Sequence, residues 1–347
     1  MVATAEKAPP GTTAVKRIGL GGGLLIALGA VAVLAFLSIA LGSRSVTLQT
    51  VLDAFFDPTA TSPDLTVIRD MRVPRTLLAI VVGTALGLGG TLLQGVARNP
   101  LADPGIMGIN SGAALAIVGG IMLIGVQSAA GYVWFAFAGA GIATVLVYGL
   151  AATGRDGATP VKLALAGAAV TAVFGSVTSA IVLSNVDALN EMRFWQVGAL
   201  SGRFMPVFWQ LAPFLVIASL IALFAGRPLN TLALGDDVAR ALGQPVALTR
   251  TVLFALIAVL CGAATAAAGP IAFLGLMVPH LARFICGPDY RWILPYSALL
   301  GPVLLLACDI AGRVVVAPGE LQVGVVIGVV GAPVFIALAR FRRLVQL

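Results

Sequence analysis

Charge is what this sequence has least of: only 10% of its 347 residues are Asp, Glu, Lys or Arg. A soluble domain carries about a quarter. With 59% of residues hydrophobic, no ordinary water-facing surface can be assembled, and lipid must surround most of the chain. Histidine occurs once, as His280 behind Pro279, with no Cys or carboxylate beside it at ligand spacing. A lone His builds no zinc site, so a packed or hydrogen-bonded ring is expected and no metal site is predicted. The three cysteines, Cys261, Cys286 and Cys308, lie in or beside apolar runs without CxxC spacing and read as small core hydrophobes. Only three lysines are present and none follows a glycine, which excludes a phosphate-cradling P-loop. No residue set supports catalysis, and no cofactor is expected on this chain.

What is present is a series of apolar runs of about 20 residues, the length of a membrane-crossing helix. They lack the alternation of barrel strands, and lipid offers no partner for open backbone groups, so an all-α polytopic membrane bundle follows. Ten spans are predicted, at 18–41, 74–96, 106–125, 130–152, 161–184, 206–225, 247–267, 270–286, 293–311 and 323–340. The span at 270–286 is short and opens with Gly269-Pro270, which predicts a tilted or irregular end. Residues 1–17 read as a disordered cytoplasmic tail and 18–347 as one transmembrane domain. The first apolar run is too long for a cleaved signal and is expected to stay as a span.

Basic residues collect on the cytoplasmic side of a membrane. Counting Lys and Arg in the joints gives 14 on the side of the N-terminus and 7 on the other. That split predicts both termini in the cytoplasm and accounts for the net charge of +7 without a nucleic-acid partner. Gly83 and Gly87, with Gly90 on a nearby face, have the spacing of close helix packing. The outer joint at 44–73 holds Asp53, Asp57, Asp64, Arg69, Asp70 and Arg72. The outer joint at 185–205 carries Phe194, Trp195, Val197 and Leu200, the makings of a short interfacial helix. The inner joint at 226–246 predicts one or two amphipathic helices suited to a soluble partner or to lipid headgroups. Acids are sparse inside the spans; the exception, Asp309, has Arg313 four residues on and can pair with it on one helix face.

Several joints in order resemble the permeases of the iron–siderophore, haem and cobalamin ABC importers, the FecCD type. The matching pieces are RVPR at 72–75, QGVARNPLADPGIMGINSGA at 94–113 and FWQVGALSG at 194–202. They continue with GRPLNTLALGDDVARALG at 226–243, GPIAFLGLMVPHLARFICGPDYRWILP at 269–295, DIAGR at 309–313 and ELQVGVVIGVVGAPVF at 320–335. One departure is Gln322, where the family commonly has Pro.

The resemblance implies a permease subunit of the plasma membrane that moves a metal chelate inward. A second permease copy or paralogue would complete the pore, two cytoplasmic subunits would bind ATP and Mg, and an extracytoplasmic binding protein would dock above. It implies that Arg72, Arg75 and Arg313 meet acids of that binding protein. The same arginines could instead anchor helix ends or pair with Asp70, Asp309 or Glu320. The joint at about 228–243 becomes the coupling element, with Leu232, Leu234, Gly235, Ala239, Leu242 and Gly243 toward the ATPase and Asp236, Asp237 and Arg240 at the rim. Asn99, Pro100 and Pro104 are expected to form a structural turn near the inner gate. Rival readings are a haem or cobalamin permease, an ion-coupled secondary transporter, and a receptor or scaffold without transport.

Overall fold

The structure, a computed structural model, describes residues 19–57, 59–126, 128–153 and 159–341. The predicted tail at 1–17 and the cations Arg155, Arg342 and Arg343 lie outside the described residues. The described chain is helical, in the order α1 (Leu20–Ala40), α2 (Leu48–Phe56), α3 (Pro63–Thr66), α4 (Val73–Ala97), α5 (Ile109–Ile124), α6 (Ala129–Ala151), α7 (Pro160–Ser184) and α8 (Val186–Trp195). It continues with α9 (Met205–Leu223), α10 (Gly226–Ala233), α11 (Asp236–Ala241), α12 (Val246–Ala268), α13 (Leu274–Cys286), α14 (Tyr290–Val314) and α15 (Val323–Phe341). Seven of these are long and apolar enough to cross a membrane, and the shorter apolar helices α5, α13 and α15 fall on the remaining predicted spans.

The helix starts follow from local chemistry. The side chains of Thr47, Ser128, Thr159, Asn185 and Asp289 accept backbone N–H bonds at the first turns of α2, α6, α7, α8 and α14. Such caps satisfy donors that have no intrahelical partner. The predicted irregular start near Pro270 is real: residues 270–273 are non-helical and Phe273 takes a left-handed φ of 64° before α13 begins. The joint at 44–73 holds more structure than expected, namely α2, α3 and a π-helical run, Val67–Arg72, that leads straight into α4. In the joint at 185–205, α8 forms with Val186, Leu189 and Phe194 exposed, while Trp195 and Leu200 turn into the protein. The expected short helix is present, and of the apolar residues assigned to its outer face Phe194 is exposed, Val197 half-buried, and Trp195 and Leu200 buried.

Helix α4 is the hub, with 78% of its span buried against 17% for α7. It packs on α14, α12, α13 and α9. In lipid the hydrophobic effect does not press helices together, so close approach must come from small residues. Those are the predicted glycines: a methyl at Gly83 would stand 2.7 Å from Pro302 of α14, and one at Gly90 would overlap the Gly275 carbonyl of α13. Gly87 meets the Ser297 carbonyl in the same way. Gly141 of α6, by contrast, faces open space. Gly90→Val should accordingly lower the detergent-solubilised melting temperature, with an overpacking cost of about 1–3 kcal/mol or more. Gly141→Ala should leave it unchanged; equal shifts would mean that α4 is not wedged at Gly90.

Candidate functional site

The first candidate site lies where α1 ends. The last carbonyls of a helix have no intrahelical donor. Here two arginines supply one. Arg72 Nη1 donates to the Ile39 and Ala40 carbonyls at 2.8 and 2.9 Å, and its Nη2 donates to the Arg44 carbonyl. Arg313 Nη1 donates to the Ser38 and Leu41 carbonyls at 2.8 and 3.0 Å, and its Nη2 to Ser38 Oγ at 2.8 Å. Between them sits Asp309, fully buried on α14. Arg75 Nη2 lies 2.8 Å and Arg313 Nη2 3.1 Å from its carboxylate. Arg75 Nη1 also reaches Glu320 at 2.7 Å, and Ser43 Oγ donates to the other Glu320 oxygen.

The three predicted docking arginines are thus brought together, but each is less than a tenth exposed. Arg72 and Arg313 cap α1, while Arg75 and Arg313 hold Asp309 and Arg75 also holds Glu320, two of the three predicted internal partners. The three arginines also share the wall of a cavity of about 220 Å³ with Arg44, Arg203 and Glu320. Five guanidinium groups line it; Asp64, Asp309 and Glu320 pair with Arg44, Arg75 and Arg313, and the remaining excess of positive charge makes the cavity an anion-seeking recess. Burial alone would raise the Glu320 carboxyl, yet the hydrogen bond and charge of Arg75, with Ser43 and Arg313, hold it below the usual glutamate range. A depressed carboxylate stabilises the fold above its unfolded pKa and loses that contribution as the pH falls through the folded value.

The second candidate site is the inner joint. Gly235 at φ 102° makes the break between α10 and α11, and Gly243 at φ 81° ends α11. α10 buries Leu229 and Leu232, with Leu229 against Gly95 of α4. Asn230 ties α10 to the start of α14, donating to Asp289 Oδ1 at 2.7 Å and accepting from the Tyr290 N–H at 2.9 Å. The predicted coupling residues therefore divide. Leu234 and Leu242 are 62% and 65% exposed, and Asp237, Arg240 and Gly243 are exposed with them. Leu232 and Ala239 are buried and face the bundle. Val238, outside the predicted set, is exposed beside Leu234 and Leu242; its place in the apolar pattern was the signal. Together these residues form an apolar ledge edged by an Asp237–Arg240 pair.

The turn after α4 follows the predicted chemistry. Arg98 at φ 47° ends the helix, Asn99 Oδ1 accepts from the Leu101 N–H at 2.9 Å, and Asp103 Oδ1 accepts from the Gly105 N–H at 2.8 Å. Pro100 lies within that turn, and Pro104 opens a short 3-10 turn, Pro104–Met107. His280 is hydrogen-bonded as expected, Nδ1–H donating to the Leu276 carbonyl at 2.8 Å. Near the recess, three chain reversals are knitted together: the Ala199 N–H reaches the Ala268 carbonyl at 2.7 Å, and the Gly324 N–H reaches the Gly198 carbonyl at 3.0 Å. Any side chain at Gly198 or Gly324 would strike backbone there. That contact explains Gly198 of the FWQVGALSG segment and Gly324 of the ELQVG segment, which the sequence alone left without a reason.

The fold that carries the arginine recess at one face and the apolar ledge at the other has counterparts among known proteins. The model of the FecCD transport family matches residues 30–341. The chain belongs to the FecCD transport family. Among its FecCD relatives, the ferric enterobactin transport system permease protein FepD of Escherichia coli (strain K12) is 47% identical over 331 residues, 95% of this chain and 97% of that protein. The iron(3+)-hydroxamate import system permease protein FhuB of Bacillus subtilis (strain 168) is 44% identical over 89% of this chain and 80% of its own length. A solved transporter described as of the metal-chelate ABC type, in an inward-facing conformation, superposes with a TM-score of 0.82 at 26% identity, covering 93% of this chain and all of that one. The FecCD chain is thus a multi-pass membrane protein of a transport family.

Removing Asp309 leaves two buried cations without their shared partner. Asp309→Ala should destabilise this FecCD protein by about 3–5 kcal/mol. Glu320→Gln should cost roughly 1 kcal/mol or less near neutral pH, and its difference from the parent should vanish at acid pH below the ordinary glutamate range. Thermal unfolding in detergent across pH checks both; equal losses would remove Asp309 from the centre of the cluster.

Proposed function

We propose that the chain is the permease subunit of an ATP-driven importer that carries a ferric siderophore or similar iron chelate into the cytoplasm. The observation that carries this reading is 47% identity to FepD over nearly the full length of both chains, supported by a second relative also named for a ferric chelate. Haem and cobalamin belong to the same family's range, but no feature on this chain favours them. In this reading two ATPase subunits bind ATP and Mg, a second permease copy or paralogue completes the pore, and an extracytoplasmic binding protein delivers the chelate. Both termini lie in the cytoplasm.

The two faces support separate duties. The ledge of Leu234, Val238 and Leu242 offers exposed apolar surface beside a charged edge, which suits a groove on a soluble ATPase. The arginine recess suits a carboxylate of the binding protein, with Arg72, Arg75 and Arg313 acting as a preorganised floor. Ion pairs at such a rim steer encounter and orientation more than they add affinity. An ion-coupled carrier needs a carboxylate free to exchange its ion, and Asp309, the acid that falls within a predicted span, near its outer end, is clamped by two arginines.

Leu234→Asp should leave the chain folded in membranes yet prevent co-purification of the ATPase and stimulated ATP hydrolysis. Undiminished co-purification would move the contact off the ledge. For the opposite face, Arg72→Gln should weaken association with the binding protein and flatten its salt dependence, since screening acts on that attraction. Unchanged affinity at low salt would take Arg72 out of the docking surface.

A further inference from the structure

Asp236 was expected at the rim of the ledge, facing the ATPase. Its carboxylate turns the other way. Oδ1 accepts from Arg98 Nη2 at 2.8 Å and from Arg250 Nη2 at 2.9 Å. Arg98 is the left-handed residue that ends α4 and begins the turn at 98–105, while Arg250 lies in the first turns of α12. One carboxylate oxygen therefore joins the ledge to two transmembrane helices.

These contacts differ in kind from the neighbouring Asp237–Arg240 pair. Asp237 is 98% exposed and its partner is three residues away on the same helix, so that pair reports only on α11 itself. Asp236 and its partners are about a third exposed or less, and they lie 138 and 14 residues apart in sequence. Partial burial strengthens such a pair relative to an open one. Motion of α11 that breaks it would leave two cations facing each other. Helix α10 is seated by apolar packing and by Asn230, so Asp236 gives α11 its polar hold on the turn after α4.

We propose that Asp236, clamped by Arg98 and Arg250, is a positioning residue that carries displacement of the ledge to the end of α4 and the turn at 99–104. The proposal rests on the reading of the ledge as the ATPase contact. It assigns Asp236 to transmission and not to docking, and it gives the turn at the inner face a direct link to the ATP-driven step.

The test uses the full complex of permease, ATPase and binding protein in proteoliposomes, reading ATPase co-purification, ATP hydrolysis and ferric chelate uptake together. Asp236→Asn should retain the ATPase as the parent does while uptake per ATP hydrolysed falls roughly tenfold, and Asp236→Glu should recover most of it. Should the Asp236→Asn chain fail to accumulate, Arg98→Gln removes the α4 arm alone and should uncouple in the same way. Parent-like uptake per ATP in the variant overturns the proposal. So does loss of the ATPase from Asp236→Asn, because that makes Asp236 a docking residue while the ledge reading stands. If Leu234→Asp keeps both the ATPase and its stimulation, it is the ledge reading that fails.

Discussion

Hydrocarbon tolerates neither an unpaired charge nor an open backbone group, and every later feature of this protein answers to that constraint. Among the described residues, seven long apolar helices and three shorter ones satisfy the backbone. Charges are pushed to the two faces, where they pair or meet water. The buried acid Asp309 survives because Arg75 and Arg313 neutralise it, while Glu320 takes another donor of Arg75 and the end of α1 takes those of Arg313. Since apolar burial gives no preference between a lipid tail and a neighbouring helix, contact between helices is left to shape. Gly83, Gly87 and Gly90 supply it along α4.

The two faces solve opposite problems. At one, arginines are over-supplied relative to carboxylates and sunk into a recess, so that the surface is shaped by buried cations. At the other, the ledge is pinned from beneath by Asn230 and Asp236 while Leu234, Val238 and Leu242 stay uncovered. Pinning and exposure belong together: an apolar surface that is to be pushed must be fixed to what it pushes. On the proposed reading, the force of the ATPase reaches the bundle through this surface.

The spans were legible because a run of about 20 apolar residues has one explanation in a chain this poor in charge. The ledge was legible because its apolar spacing and its glycines announce short helices. The break near Pro270 was announced by Gly269-Pro270. What escaped were matters of direction and of distant pairing. Trp195 and Leu200 were assigned to the membrane surface because amphipathicity does not say which medium the apolar face meets. Arg75 finds its acid 234 residues away and Arg98 finds its own 138 residues away, and no local pattern connects them. The helices within 44–73 were hidden by polar composition, although Thr47 and Ser62-Pro63 carry start signals.

The central claim is that this chain is a passage without an engine, worked by a partner that grips its ledge. Uptake of labelled ferric siderophore into sealed proteoliposomes, with the binding protein outside and the ATPase either present or withheld, tests it most directly. The account predicts uptake only when the ATPase and internal ATP are both present. Sustained accumulation by the permease without the ATPase would contradict it.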